Sequence, residues 1–314
     1  MDKFKKAIPT IFVLTAGVCW GVISLFVHLF IGWGVPALTV ACLRLTISAV
    51  ALLVFALIFK RSAFKVKLGH LPLLFSVGLF GLLGTMFAYQ TAITMTSASV
   101  ASILMYTSPI FIFIFSTVVF KERINLQKII ALSLAVVGCV FVSGILDGGI
   151  FTVEGILMGL LSGVTYALYS IIGVFALRHY DSLTVTLYGF MISGVLGLCF
   201  MDYSALGSAF VVSFSPIIVV LSILGVAVVC TIAPYTLYTW GLRRMEASRA
   251  GILACIEPIV ATLVGVLCLS EGSTVFQIVG IVCVVGAIVL LQLSGHKKGD
   301  DNSANLAKHP KNIC

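Results

Sequence analysis

The chain has 314 residues, of which 61% are hydrophobic and 10% are charged, and its mean hydropathy is +1.20. A soluble domain carries roughly 25% charged residues. This chain therefore has too few charged residues to cover a water-facing surface, and a lipid bilayer must be its solvent. The formal net charge is +8, but the basic residues lie in short gaps between apolar runs. That pattern argues against a nucleic-acid partner and is typical of membrane topology signals.

Apolar runs of membrane-spanning length recur along the whole chain, because a transmembrane helix needs about 20 apolar residues. The runs are uniformly apolar, unlike the alternating segments of a β-barrel. The sequence therefore predicts an all-α membrane protein. Ten transmembrane helices are predicted, at 9–31, 36–59, 70–92, 97–119, 125–144, 153–176, 182–201, 215–241, 247–268 and 275–294.

The positions of Lys and Arg indicate how these spans are oriented. When the N-terminus is placed in the cytoplasm, every basic residue except Arg44 falls on the cytoplasmic side, and Arg44 lies within the second span. The positive-inside rule predicts this asymmetry. Both termini are therefore predicted to be cytoplasmic, and the polar tail 295–314 is predicted to be disordered.

Two long stretches of the chain are similar to each other: YQTAITMTSASVASILMYTSPIFIF at 89–113 and YTWGLRRMEASRAGILACIEPIVAT at 238–262. A constant offset aligns Tyr89 with Tyr238 and Pro109 with Pro258. The chain is thus predicted to consist of two five-helix repeats, 1–146 and 147–294. Because five is odd, the second repeat enters the membrane from the opposite side, and inverted repeats are a recurrent design of secondary transporters.

These segments resemble the drug/metabolite transporter superfamily and, within it, the EamA-like family of ten-span transporters. The resemblance rests on LTAGVCWGVISLF in the first span, LTVACLRLTISAV with Arg44, SASVASILMYTSPIFIFIFSTVVFKERI, and ASRAGILACIEPIVATLVGVLCLSEG. It covers nearly the whole chain. It implies a basket of helices around a central cavity, export or exchange of amino acids and related metabolites, and a bacterial inner membrane. Ser108 stands where the second repeat has Glu257, so any role of a carboxylate is confined to one half.

Glu257 is the most informative residue of the sequence. It lies about ten residues into the ninth span, hence ~15 Å deep, where a charge costs several kcal/mol. Pro258 and its repeat equivalent Pro109 each remove a helix hydrogen bond, which predicts kinks near the midplane, where such transporters place their binding sites. We expect Glu257 to line the cavity, where it binds a substrate amine or carries a proton. A structural ion pair is the alternative.

Arg44 is the natural partner of Glu257 at a similar depth. It either neutralises Glu257 or holds a substrate carboxylate, and in the second case the two residues would clamp a zwitterion such as an amino acid. His28 lies near the outer end of the first span. It is either an interfacial residue or part of a proton relay.

Aromatic side chains near mid-membrane are expected to face the interior, because a buried hydroxyl or indole N–H needs a partner. A cavity lined by such rings and one carboxylate could also hold a quaternary amine. Tyr89 and Tyr238 lie near opposite faces and are candidate gates, with simple packing as the alternative. The predicted cavity residues are Trp20, Tyr106, Tyr166 and Tyr169.

Other classes of protein find little support in the motifs. The sequence has no HExxH, GxSxG or Walker A pattern, which disfavours an enzyme or an ATP-driven pump. Its nine cysteines include no CxxC pair, so neither a metal nor a cofactor is expected. The favoured function is secondary transport of amino acids or related amines, alone or with protons. Quaternary amines, nucleoside-like metabolites or drugs are alternative solutes, a channel is a different class, and no motif specifies an oligomeric state.

Overall fold

A computed structural model describes residues 2–96, 98–142, 152–213, 215–269 and 274–306, with the side chains of 2–6, 98–99 and 292–306 left out. Within these ranges the chain is helical and contains no strand. Apolar segments become helices because a helix satisfies every backbone N–H and C=O group internally, as hydrocarbon surroundings require.

The first half of the chain supplies eight helices. A π-helical segment, Val77–Gly84, joins α4 to α5 within one continuous helical stretch. The helices are α1 (Asp2–Gly21), α2 (Ile23–Gly32), α3 (Ala37–Phe59), α4 (Leu71–Ser76), α5 (Thr85–Met95), α6 (Ala98–Met105), α7 (Ser108–Phe120) and α8 (Leu126–Val142).

The second half also supplies eight helices, and again one span contains a π-helical segment, Val228–Ile232 between α12 and α13. The helices are α9 (Val153–Leu177), α10 (Ser182–Gly197), α11 (Tyr203–Val212), α12 (Pro216–Ala227), α13 (Ala233–Leu242), α14 (Ala247–Ala254), α15 (Ile256–Cys268) and α16 (Val275–Leu306).

Several of these helices follow one another without a loop, and together they form stretches long enough to cross a bilayer. Within the described ranges, eight continuous helical stretches are long and apolar enough to do so, and α8 and the apolar part of α16, Val275–Leu291, are shorter. The predicted all-α membrane architecture is therefore confirmed. The count of ten spans stays a prediction.

Helix breaks occur at corresponding places in the two halves. Tyr106 and Thr107 separate α6 from α7, and Cys255 separates α14 from α15; the repeat offset places Tyr106 opposite Cys255. Pro109 and Pro258 each lie in the first turn of the helix that follows the break, where the missing proline N–H has no helical acceptor to lose. The prolines thus end one helix and start another within a single span.

The helices that pack on these breaks also occupy equivalent positions in the two halves. Helix α1 packs on α13, α14 and α15, whereas α9 packs on α5, α6 and α7. Close approach requires glycine: a Cβ on Gly21 would lie 2.7 Å from the carbonyl oxygen of Glu257, and a Cβ on Gly163 would lie 2.9 Å from that of Leu104. Helix α3 packs on α10, and α8 packs on α16. The two broken spans are thereby held against the centre of the molecule.

The short helix α11 lies between the predicted seventh and eighth spans, and Asp202 caps it by accepting hydrogen bonds from the N–H groups of Ser204 and Ala205. The bond from the Ala205 N–H lowers the pKa of Asp202. Helix α16 continues to Leu306, and the disorder predicted for the tail 295–314 stays a prediction.

Candidate functional site

Glu257 stands at the start of a helix inside a membrane span. The break at Cys255 makes it a first-turn residue of α15, and a helix N-terminus stabilises a negative charge. Its side chain is only partly buried, and the Tyr106 hydroxyl at the other break lies within hydrogen-bonding reach of the carboxylate. The two broken spans therefore meet at one partly buried glutamate.

Aromatic rings surround this position. The ring centroid of Trp20 lies 5.1 Å from that of Tyr235 and 6.3 Å from that of Tyr166. Tyr169 packs edge-on against Tyr235 at 5.3 Å and exchanges a hydrogen bond with Thr239 at 3.0 Å. Tyr106 and Tyr166 are partly accessible, whereas the Trp20 ring is 5% exposed. The four predicted aromatic residues are thus all part of, or next to, one cluster with Glu257.

Arg44 is buried on α3, with 6% of its surface exposed. One terminal N–H donates to the thioether of Met86 at 2.8 Å, and its Nε has no hydrogen-bond partner. A thioether is a weak acceptor. The three ion pairs of the described residues do not include Arg44 and Glu257, so no direct bridge within 4.0 Å joins them, although their charges interact. Both groups therefore keep bonding capacity for another molecule.

Trp20 adds a second free donor. Its indole Nε1 is buried and has no hydrogen-bond partner, an uncommon state for a buried N–H. The described site thus offers donors on Trp20 and Arg44 and an acceptor on Glu257. Such an arrangement can bind a molecule that carries both an acceptor group and a cationic donor group.

The remaining predicted residues lie around this cluster or away from it. The hydroxyl of Tyr89 exchanges a hydrogen bond with Ser102 at 2.9 Å, and that of Tyr238 does so with Ser170 at 2.9 Å. Tyr238 is fully buried against Trp20, with ring centroids 5.4 Å apart, whereas Tyr89 is half-buried. His28 is exposed on α2 and makes no ring contact or side-chain hydrogen bond with the cluster.

Two residues of the site were missed from the sequence. Tyr235 is the hub of the ring cluster, since it packs on Trp20, Tyr169 and Phe190, and Met86 is the contact of Arg44. The repeat offset aligns Met86 with Tyr235. The internal repeat could therefore have indicated that these two residues occupy equivalent positions in the two halves. No group of three or more His, Cys, Asp or Glu side chains within the described part of the chain could hold a metal ion.

Apolar helices, paired helix breaks and an intramembrane carboxylate are features of a multi-pass membrane transporter. The chain belongs to the EamA-like transporter family, which matches residues 7–144 and again 153–293. The predicted membership of the family is therefore confirmed, and the family identifies a transporter and not an enzyme.

Individual relatives agree with this assignment. A protein of Archaeoglobus fulgidus called "Uncharacterized transporter" is 28% identical over 279 residues, covering 88% of this chain and 92% of the relative. "Uncharacterized transporter YdfC" of Bacillus subtilis is 24% identical over 260 residues, covering 82% of each chain. A solved structure titled "Crystal structure of protein" matches with a TM-score of 0.72 at 21% identity, covering 92% of this chain and 98% of that one, which supports the fold.

Proposed function

We propose that the protein exports or exchanges amino acids and related amines across a bacterial inner membrane by alternating access. In this proposal ten spans form two inverted five-helix repeats, and both termini are cytoplasmic. The family match to each half, the corresponding breaks before Pro109 and Pro258, and the distribution of basic residues support it. Two packings of one repeated unit can exchange between the halves, which gives the inward-open and outward-open states similar energy.

The observation that carries the proposal is the state of Glu257. The residue is only partly buried, its carboxylate stands at a helix N-terminus, and no ion pair joins it to Arg44. Intramembrane carboxylates without a structural partner commonly mark a substrate or proton pathway. We assign Glu257 to the substrate ammonium group, with the free donors of Arg44 and Trp20 as the complementary site for a carboxylate.

The ring cluster supports quaternary amines as a second class of solute. Trp20, Tyr166 and Tyr235 present aromatic faces and edges close to Glu257, and aromatic faces attract organic cations. A quaternary amine would use these rings and Glu257 but would leave Arg44 without a ligand. The nature of the solute therefore decides whether Arg44 contributes to binding.

The test is counterflow in proteoliposomes that are loaded with an unlabelled amino-acid pool and exposed to a trace of the labelled pool. We expect wild type to accumulate label and Glu257→Gln to lose at least about tenfold in rate, because a charge-assisted hydrogen bond contributes about 1.5–3 kcal/mol. Glu154→Gln, at an exposed glutamate on α9, is the matched control. Measurement at two pH values shows whether Glu257 titrates in the working range, since the wild-type rate then changes with pH while that of the variant stays flat. Unchanged counterflow in Glu257→Gln would contradict the proposal.

A further inference from the structure

The ion pairs of the described residues are unevenly distributed across the membrane. All three lie at the face that the proposed topology makes cytoplasmic: Lys60 with Asp181, Lys128 with Glu122, and Lys128 with Glu246. The first and the third join the two halves of the chain. If the halves separate at this face when the site opens to the cytoplasm, these inter-half contacts must break.

The cluster around Lys128 is the more buried of the two connections. Lys128 is 6% exposed, and its Nζ lies 2.8 Å from the Glu246 carboxylate and 3.6 Å from that of Glu122. The Lys128 Nζ makes no hydrogen bond of acceptable geometry, so its contacts with the two carboxylates are ionic. The Lys60–Asp181 pair is more than one-third exposed on the lysine side, where water screens it. The Glu246 side chain is 47% exposed, but those of Lys128 and Glu122 are only 7% and 9% exposed, so water screens the charge of Lys128 less than that of Lys60.

Glu122 extends this cluster to the backbone of the ninth span. Its carboxylate accepts a hydrogen bond from the N–H of Ala247 at 2.9 Å and another from the Ser248 hydroxyl. These two residues form the first turn of α14, the helix that leads into the break before Glu257. The first half of the chain thus holds the start of the broken span that carries the proposed binding residue in its second helix, α15.

The opposite face carries only part of this set of charges. The repeat offset places Glu271 at the position of Glu122, but Gln277 at the position of Lys128 and Ser97 at that of Glu246, so the central cation is missing there. The described contacts between the halves at that face are neutral: the Asp202 N–H donates to the Thr39 hydroxyl at 3.0 Å, and the Thr152 hydroxyl donates to the carbonyl of Met95 at 2.8 Å. Among the described residues, the contacts between the halves at the proposed cytoplasmic face are therefore ionic, whereas those at the outer face are neutral.

We propose that Lys128, Glu122 and Glu246 form an ionic latch that holds the cytoplasmic entrance closed and must open in each transport cycle. The inference rests on the alternating access of the proposed function. Removing the charge of Lys128 favours the state that is open to the cytoplasm, because Glu122 and Glu246 then repel each other with no cation between them. Because the latch is present at one face, it favours the state that is closed to the cytoplasm when no solute is bound.

Amide hydrogen exchange, measured by mass spectrometry on the full-length protein in lipid nanodiscs, tests the latch without any solute. Lys128→Gln copies the residue of the outer counterpart. We expect exchange to rise on the order of tenfold in peptides covering 120–128 and 243–254, because breaking a buried ion pair strongly favours local opening. Peptides covering 201–213 at the opposite face should not gain exchange.

Three further variants separate a latch from general loss of stability. Lys128→Arg keeps the charge and should exchange as wild type does, and Lys121→Gln removes an exposed charge from the same loop and should have no effect. Glu246→Gln, at a partly exposed partner, should give a smaller rise in the same peptides and serves if Lys128→Gln fails to fold. An equal rise at both faces, or none at 120–128 and 243–254, would overturn the proposal. Because no solute is used, either result is independent of counterflow by Glu257→Gln.

Discussion

A carboxylate can stay within the apolar interior because several neighbours share the cost of its charge. Glu257 lies in the first turn of α15, where the positive end of the helix dipole stabilises a negative charge. The Tyr106 hydroxyl lies within hydrogen-bonding reach, and the charge of Arg44 acts on the carboxylate from beyond ion-pair distance. None of these neighbours neutralises it completely, which leaves Glu257 stable in the absence of solute yet able to bind one.

Arg44 allows a test of the zwitterion assignment. Arg44→Gln removes the proposed partner of the substrate carboxylate. The KM for an amino acid should rise by at least about tenfold, because a hydrogen bond to a charged group contributes about 1.5–3 kcal/mol. The KM for the amine with the same side chain and no carboxylate should stay near its wild-type value.

The comparison uses the amino acid with the strongest counterflow and its decarboxylated counterpart in the same vesicles. Arg123→Gln, an exposed residue of the loop before α8, is the control for loss of one positive charge. Equal changes for the two solutes would show that Arg44 supports the structure of the site without binding the carboxylate.

At the scale of helices, the site is built by breaks and by the close packing of other helices on them. The span that carries Glu257 is divided into α14 and α15, and α1 contacts both pieces. A Cβ on Gly17 would lie 2.2 Å from the Ile256 side chain, and one on Gly21 would lie 2.5 Å from the Cβ of Val260. Two glycines of α1 therefore determine how closely Trp20, between them, approaches Glu257.

Gly21→Ala should separate α1 from α15. Its new Cβ would meet the Glu257 carbonyl oxygen at 2.7 Å, and such overpacking costs about 1–3 kcal/mol. We expect the apparent Tm in detergent to fall by a few degrees and counterflow to decrease.

Gly32→Ala, whose Cβ would have no neighbour within 4 Å, should leave both properties unchanged. If Gly21→Ala behaved like Gly32→Ala, the close approach of α1 to α15 would not matter to the site.

The sequence predicted those features that depend on local composition. Apolar runs placed the spans, and the break before Pro258 followed from the missing proline N–H. The central position of Tyr235 and the contact between Arg44 and Met86 depend on packing between spans that are distant in the sequence. The hydropathy of a single sequence does not show which spans pack together. The π-helical segment Val77–Gly84 likewise has no proline within it, so propensity alone gave no reason to expect it.

At the scale of the molecule, the proposed binding position lies between the two halves that the family matches separately. The first half contributes Trp20 and Arg44, and the second contributes Glu257 and Tyr235. Helix α1 packs on the broken ninth span as α9 packs on the broken fourth span. An exchange of these two packings would present the same residues to the opposite side, and the proposed ionic latch at Lys128 lies at the face that the proposed topology makes cytoplasmic. The account therefore depends on a site that is reached from both faces in turn.

The most direct test is the accessibility of position 106, which faces Glu257. Tyr106→Cys is placed in a variant without the nine native cysteines and reconstituted in vesicles of one orientation. A membrane-impermeant maleimide is then added to one face at a time. Alternating access predicts labelling from either face, with both rates reduced by saturating solute. Labelling from one face only, at a rate that solute does not change, would contradict it.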